Sequence, residues 1–210
     1  MAYEDLRDYL EELEKRGKLK HVKAEVDITW EVACIARWVF QAVPEKERYG
    51  LMFDHPKGFD IPIVTGVCGA SREIYAIALE TTADRIFEKW YEGLKKLIPP
   101  KEVKAGPVQE VVEEGDDVDL YKIPIPTWTP GKDGGPYLTA PCVITKDPDT
   151  GLQNVGTYRV QVQTGNRTGV LITTHKDIGI HFYNKYESKE KTMPVAVAFG
   201  VDPSIGLASL

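Results

Sequence analysis

The first hundred residues alternate between a helical and a strand period. Leu6, Leu10 and Leu13, with Tyr9 beside them, recur at helical spacing in LRDYLEELEKRGKL, and Gly17 follows as a stop. In HVKAEVDI the period drops to two, with Val22, Ala24, Val26 and Ile28 on one side, which predicts a half-buried strand. Helical spacing returns from Glu31 to Val43 and ends before Pro44. GLMFDHP and DIPIVTGVCG are short strand-like runs cut by proline and glycine. Ser71 then reads as the N-cap of one long helix reaching Leu97, with Glu73 in its first turn and Pro99-Pro100 ending it. Residues 1–105 are thus expected to form one α+β unit.

The acidic, polar stretch KEVKAGPVQEVVEEGDDVDL leads to a different texture. IPIPTWTPGKDGGPY is dense in proline and glycine and reads as a loop or an extended lip. Strand patterns follow in series: YLTAPCVIT, NVGTYRVQVQT, TGVLITTH and, after a helix from about Asp177 to Glu190, MPVAVAFG. KDPDTG and TGNRTG are hairpin signals. Successive β-runs with tight turns and one inserted helix predict a small barrel over residues 106–210. The sequence stops at GVDPSIGLASL, where Asp202-Pro203-Ser204 looks like a new element beginning. The chain is therefore expected to be a fragment or one half of a larger assembly, the alternative being an end that docks as a last short helix.

Composition changes this picture only by exclusion. The 210 residues are 42% apolar and 28% charged, with a net charge of −6 and no basic stripe, so nucleic acid and anionic membrane are poor partners. The amphipathic, acidic N-terminus is not a signal peptide, and no apolar run spans a bilayer. Cys34, Cys68 and Cys142 are odd in number and widely spaced, which predicts reduced core cysteines in a cytoplasmic protein.

Candidate chemistry gathers between Leu152 and Lys185. Asn154 can offer an amide oxygen and His175 a ring nitrogen to a divalent cation, or they can be a turn residue and a helix-opening polar residue. Arg159 shares a predicted strand face with Val155, Thr157 and Gln161; it suits a carboxylate or phosphate if that face looks into a cavity, and solvent if not. Gly156 admits close approach to the backbone. Thr139 and Thr174 read as satisfied strand hydroxyls, His55 and His181 as structural, and His21 as solvated. GVCGAS offers a strand-to-helix turn with free amides for an anion, and Trp128 and Tyr137 give the lip aromatic faces.

NVGTYR followed by an apolar strand and THKDIGIHFYNK resembles the core of the UbiD-type decarboxylases. LRDYLEELEKRGKL with WEVACIAR is similar to that family's opening, IPIPTWTPGKDGGPYLTAPCVITKDPDTG to its central lead-in, and PVAVAFGVDPSIGLASL to the strand and Asp-Pro turn that follow. The resemblance implies an N-terminal α+β domain followed by a split β-barrel, flavin-reductase-like and flavin-binding, incomplete at the C-terminus. It implies that Asn154 and His175 ligate Mn²⁺ or a similar ion on the phosphate of prenylated FMN, with K⁺ nearby. Arg159 would hold the substrate carboxylate and touch the cofactor, while Thr139, Thr157, Tyr158, Thr173, Thr174 and Lys176 lie along the flavin, several through backbone groups. The implied reaction is reversible decarboxylation of an aromatic or α,β-unsaturated carboxylic acid, with carbon dioxide as the other partner.

The family's third metal ligand, a glutamate, and its acidic catalytic residues lie beyond the Asp-Pro turn. The resemblance therefore implies an incomplete site, weak turnover by the isolated chain, and homo-oligomerisation of the whole. Two other readings stand beside it: a non-catalytic flavin- or partner-binding subunit of a multi-chain carboxylase, and a plain FMN-binding split-barrel protein.

Overall fold

The structure, a computed structural model, describes residues 3–210. Helix α1 (Leu6–Lys15) is capped by Asp5, whose carboxylate accepts from the Arg7 and Asp8 amides, and it buries Tyr9 and Leu13. Strands β1 (Leu19–Val26) and β2 (Gly50–Pro56) run parallel, joined by helix α2 (Glu31–Ala42), and β3 (Ile63–Thr65) returns antiparallel to β2. Val32, Ala36 and Val39 of α2 pack on Val26, Leu51, Phe53 and Ile63 of this sheet. The expected alternation in β1 does not hold: a register shift between Val22 and Glu25 leaves Ala24 exposed and Val22 only half-buried.

The long helix expected after Ser71 is two helices, α3 (Arg72–Ala78) and α4 (Ile86–Lys95). Glu80 adopts a left-handed conformation, φ 54°. The Thr81 amide then donates to Ala76 O at 2.9 Å and the Glu80 amide to Ile77 O at 3.0 Å, closing α3 with a Schellman motif. Without glycine or asparagine at that position, nothing in the local sequence announces the stop. The α3 N-terminus is not open to an anion either. The Ser71 hydroxyl accepts from Ile74 N at 3.2 Å, and the Glu45 carboxylate takes the Arg72 amide at 2.5 Å.

The second half holds β4 (Tyr137–Leu138), β5 (Cys142–Lys146), β6 (Gln153–Thr157), β7 (Val160–Thr164), β8 (Arg167–Val170), helix α5 (Asp177–His181), β9 (Ala196–Ala198) and α6 (Pro203–Ala208). They form two antiparallel three-stranded sheets, ordered β4-β7-β8 and β6-β5-β9. The fold is α+β with small sheets, and none of them closes into a barrel among the described residues. NVGTYRVQVQT is two strands rather than one: Tyr158 and Arg159 carry the chain from the β6 sheet to the β7 sheet. Burial still alternates through the crossing, with Gly156, Val160 and Val162 buried and Arg159 exposed.

The expected 177–190 helix is helical only as α5, a wider π turn over Phe182–Tyr186 and a 3₁₀ turn over Glu187–Lys189. Ile178 of α5 packs with Val143 and Val160, covering the place where the two sheets meet. Both halves of the chain share cores, for Leu207 of α6 lies with Tyr9, Leu13 and Ile74, and Trp128 packs against the α2 cluster. Of the cysteines only Cys142 is buried; Cys68 is intermediate and Cys34 is exposed, all three free. No described helix is long and apolar enough to cross a membrane.

Candidate functional site

Arg159 lies at the sheet crossing, and with Tyr137, Thr157, Tyr158, Gln161 and Leu171 it lines a cleft of about 510 Å³. Its guanidinium stacks on the Tyr137 ring at 4.5 Å, and Nη2 sits 3.5 Å from Asp133 Oδ1. Stacking on one plane leaves the in-plane N–H fork available for a flat anion. On the other side of Thr157 lies a largely apolar cavity of about 390 Å³, lined by Thr139 together with Trp128, Tyr137, Phe199 and Leu207. The Thr157 hydroxyl bonds Ser209 Oγ at 2.6 Å and its amide donates to Ser209 O at 2.7 Å, so α6 pins the end of β6.

Asn154 stands directly opposite Thr145 in the β5–β6 ladder. Thr145 Oγ1 in turn bonds His181 Nδ1 at 2.9 Å, which fixes α5 over this face and gives His181 the structural role its neighbours suggested. Thr173, Thr174, His175 and Lys176 do not continue β8, which stops at Val170. They form the turn that enters α5, with the Lys176 amide on Thr173 O at 3.1 Å and His175 exposed. Thr157, Tyr158 and Arg159 are thus brought to one cleft, and Thr139 and Thr157 to the next. Asn154 and the 173–176 turn line neither of these two cavities, although α5, which the turn enters, packs on β6.

The donor set can be tested against a metal from one observation. Asn154 Nδ2 is a buried amide nitrogen with no hydrogen-bond partner. A buried amide left unpaired is unfavourable by roughly 1–3 kcal/mol, so this atom has room for a partner that the chain itself does not supply. Nitrogen and oxygen of an Asn amide differ only by a flip, and the flipped amide would present its carbonyl oxygen, a suitable cation ligand, at this point. The residue therefore fits the ion the sequence suggested. Among the described residues no group of three His, Cys, Asp or Glu side chains is placed to hold a metal by itself.

Sequence reasoning missed what supports these residues. A Cβ on Gly179 would lie 2.0 Å from Thr173 O, so only glycine lets α5 pack on the turn carrying Thr173 to Lys176. A Cβ on Gly156 would lie 2.4 Å from the Tyr158 ring. The group that approaches Gly156 closely is thus that ring, whose hydroxyl reaches the Ile178 amide at 3.5 Å. His21 is exposed, as expected, and also bridges Asp54, at 2.7 Å, and Glu14, at 2.9 Å. The hydrogen bond to Asp54 leads in raising its pKa, and Glu14 adds to it.

Residues 101–210 match the 3-octaprenyl-4-hydroxybenzoate carboxy-lyase Rift-related domain, and residues 10–94 match that enzyme's N-terminal domain. The chain belongs to the UbiD family. An uncharacterized protein of Archaeoglobus fulgidus is 37% identical over 97% of this chain, and one of Aquifex aeolicus is 36% identical over 97%. Among solved structures, an evolved dimeric form of the UbiD-class enzyme HmfF from Pelotomaculum thermopropionicum, in complex with prFMN, superposes with TM-score 0.87 at 36% identity over 99% of the chain. The vanillic acid decarboxylase of Sedimentibacter hydroxybenzoicus superposes with TM-score 0.88 at 30% identity over 100%. The chain spans 44% of the Archaeoglobus relative and 47% of the HmfF chain. UbiD membership fits the α+β architecture: most of the residues of the cores around α1 and α2 lie in the N-terminal match, Leu207 and Trp128 reach them from the second match, and Arg159 lies in the second match.

Proposed function

We propose that this chain is the flavin-holding part of a UbiD-type carboxy-lyase that reversibly and non-oxidatively decarboxylates an aromatic or α,β-unsaturated carboxylic acid. The observation that carries the reading is the likeness, over 99% of the chain, to an enzyme solved in complex with prFMN. In this reading residues 1–105 form the N-terminal domain and residues 106–210 the first part of a split barrel that binds the cofactor. Asn154 and His175 would hold Mn²⁺ or a similar ion together with the flavin phosphate, with K⁺ as a further ion, and the orphaned Asn154 amide supports that assignment. A divalent ion held there would offset the charge of a phosphate dianion. Thr139, Thr157, Tyr158, Thr173, Thr174 and Lys176 line the flavin; Thr157 does so without its hydroxyl, which Ser209 already holds.

Prenylated FMN supplies, when bound, the electron sink for the carbon that loses carbon dioxide. Arg159 holds the substrate carboxylate in its guanidinium fork, whose planar pair of N–H donors matches a carboxylate. The largely apolar cavity beside Thr139, lined by Trp128 and Phe199, offers an apolar wall to a flat ligand. Co-expression of the chain with a flavin prenyltransferase, followed by absorbance spectroscopy of the purified protein, tests the reading. Co-purifying prenylated FMN that is lost in Asn154→Ala supports it. Ordinary FMN alone, or no flavin at all, counts against it.

A further inference from the structure

We propose that Asp133, on the proline- and glycine-rich lip, is the residue that positions Arg159 in its cleft, fixing the guanidinium while leaving its remaining edge for a carboxylate ligand. The proposal rests on the reading of Arg159 as the carboxylate anchor and adds the group that aims it. The Asp133 side chain is only 14% exposed, whereas that of Arg159 is 56% exposed, so the fixed partner of the pair is the carboxylate. Asp133 Oδ2 accepts the Thr129 amide at 2.7 Å, and the Lys132 and Asp133 amides turn back to Thr129 O at 3.0 and 2.8 Å. The remaining oxygen, Oδ1, faces Arg159 Nη2.

The second contact on Arg159, the Tyr137 ring, comes from the same lip and is held as firmly. The Tyr137 amide donates to Pro126 O at 3.0 Å, and its carbonyl accepts Trp128 Nε1–H at 2.9 Å. The lip itself is seated on β7. A Cβ at Gly134 would meet Gln161 Nε2 at 2.8 Å, and one at Gly135 would meet Val162 O at 3.4 Å. Arg159 immediately precedes β7, so the lip and the arginine share one frame. Arginine has five donors, and the carboxylate engages one of them at 3.5 Å, the outer limit of a hydrogen bond. A contact of that length orients the fork without saturating it.

The test uses the cofactor-free chain, with the ¹⁵N signal of Arg159 Nε–Hε, identified by its loss in Arg159→Lys, and titration with benzoate. Asp133→Asn keeps an oxygen for the Thr129 amide but turns an NH₂ toward Arg159, so it removes the hold and spares the turn. The expected result is loss or broadening of the Arg159 signal and benzoate binding weaker by about two- to fivefold, the range of an exposed ion pair. The Trp128 indole signal, which reports the lip, stays where it is. An Arg159 signal unchanged in Asp133→Asn overturns the proposal, as does tighter benzoate binding, which would make Asp133 a competitor for the anion seat. Asp133→Ala repeats the measurement with no side chain to re-pair and is expected to agree. Equal benzoate affinity in wild type and Arg159→Lys would sink the anchor reading instead, while the Arg159 signal would still decide whether Asp133 positions it.

Discussion

Gly179→Ala isolates the contact that places the 173–176 turn. A Cβ there would lie 2.0 Å from Thr173 O, 2.8 Å from Thr173 C and 3.2 Å from Thr174 Cα. All three atoms are backbone, so no rotamer change relieves the clash, and the turn and α5 must separate by about 1 Å to reach the 3.0 Å floor of real Cβ contacts. In a helix free of such contact the same change would stabilise by about 0.8–1 kcal/mol. Overpacking of this kind costs about 1–3 kcal/mol, and Ile178, 1% exposed in the adjoining core, moves with the helix. The expected balance is destabilisation of up to about 2 kcal/mol, or a Tm lower by up to about 8 °C for a chain of this size. Thermal unfolding by circular dichroism measures it. Gly93→Ala in α4, where a Cβ meets nothing within 4 Å, is the control and should hold or raise Tm. A Gly179→Ala protein as stable as the control would refute the reasoning that this glycine sets the turn.

Other perturbations read separate parts of the account. Ser71→Ala removes the α3 cap and should destabilise by about 1 kcal/mol in urea unfolding. Tyr9→Phe deletes a fully buried hydroxyl that reaches Val67 O at 2.5 Å and should lower stability by roughly 1–2 kcal/mol, without altering spectra that report the Arg159 cleft. His21 has its folded pKa raised, chiefly by its bond to Asp54, so its contribution is complete below the unfolded value of about 6.5 and is lost as pH rises through the folded value. Wild type should therefore lose more Tm than His21→Gln between pH 6 and 8.5, to be read by a fluorescence melt; parallel losses would contradict the pairing.

Element identity was legible wherever one local pattern decided it. The α1 stripe, the α2 stripe ending before Pro44, and the Asp147-led hairpin turn all follow from spacing and turn chemistry, for Asp147 accepts the Asp149 and Thr150 amides as such turns require. Failures came where tertiary contact overrode the pattern. Glu80 took a left-handed stop that glycine usually supplies, and NVGTYRVQVQT kept its alternation while changing sheets. TGVLITTH kept its β-branched texture beyond Val170, where the backbone turns to meet Gly179.

The site was legible in its residues and not in its supports. Arg159 could be named from its place on a polar strand face, and Thr157 and Tyr158 beside it only through the family resemblance. Asp133 and Gly179 could not, since each matters only through a partner 26 or 6 positions away that folding brings near. Paired signals were nevertheless present in the text. Glycine inside a helical pattern and an aspartate inside a glycine-rich lip both ask what sits against them.

The central claim is that a divalent ion joins the flavin phosphate to Asn154 and His175. Its most direct test is FMN binding to the metal-stripped chain, followed by flavin fluorescence with and without added Mn²⁺. The account predicts that Mn²⁺ tightens FMN binding at least tenfold, about 1.4 kcal/mol. It further predicts that Asn154→Ala and His175→Ala each abolish that gain while leaving the fold intact by circular dichroism. FMN affinity indifferent to Mn²⁺, or a Mn²⁺ effect that survives both substitutions, would contradict it.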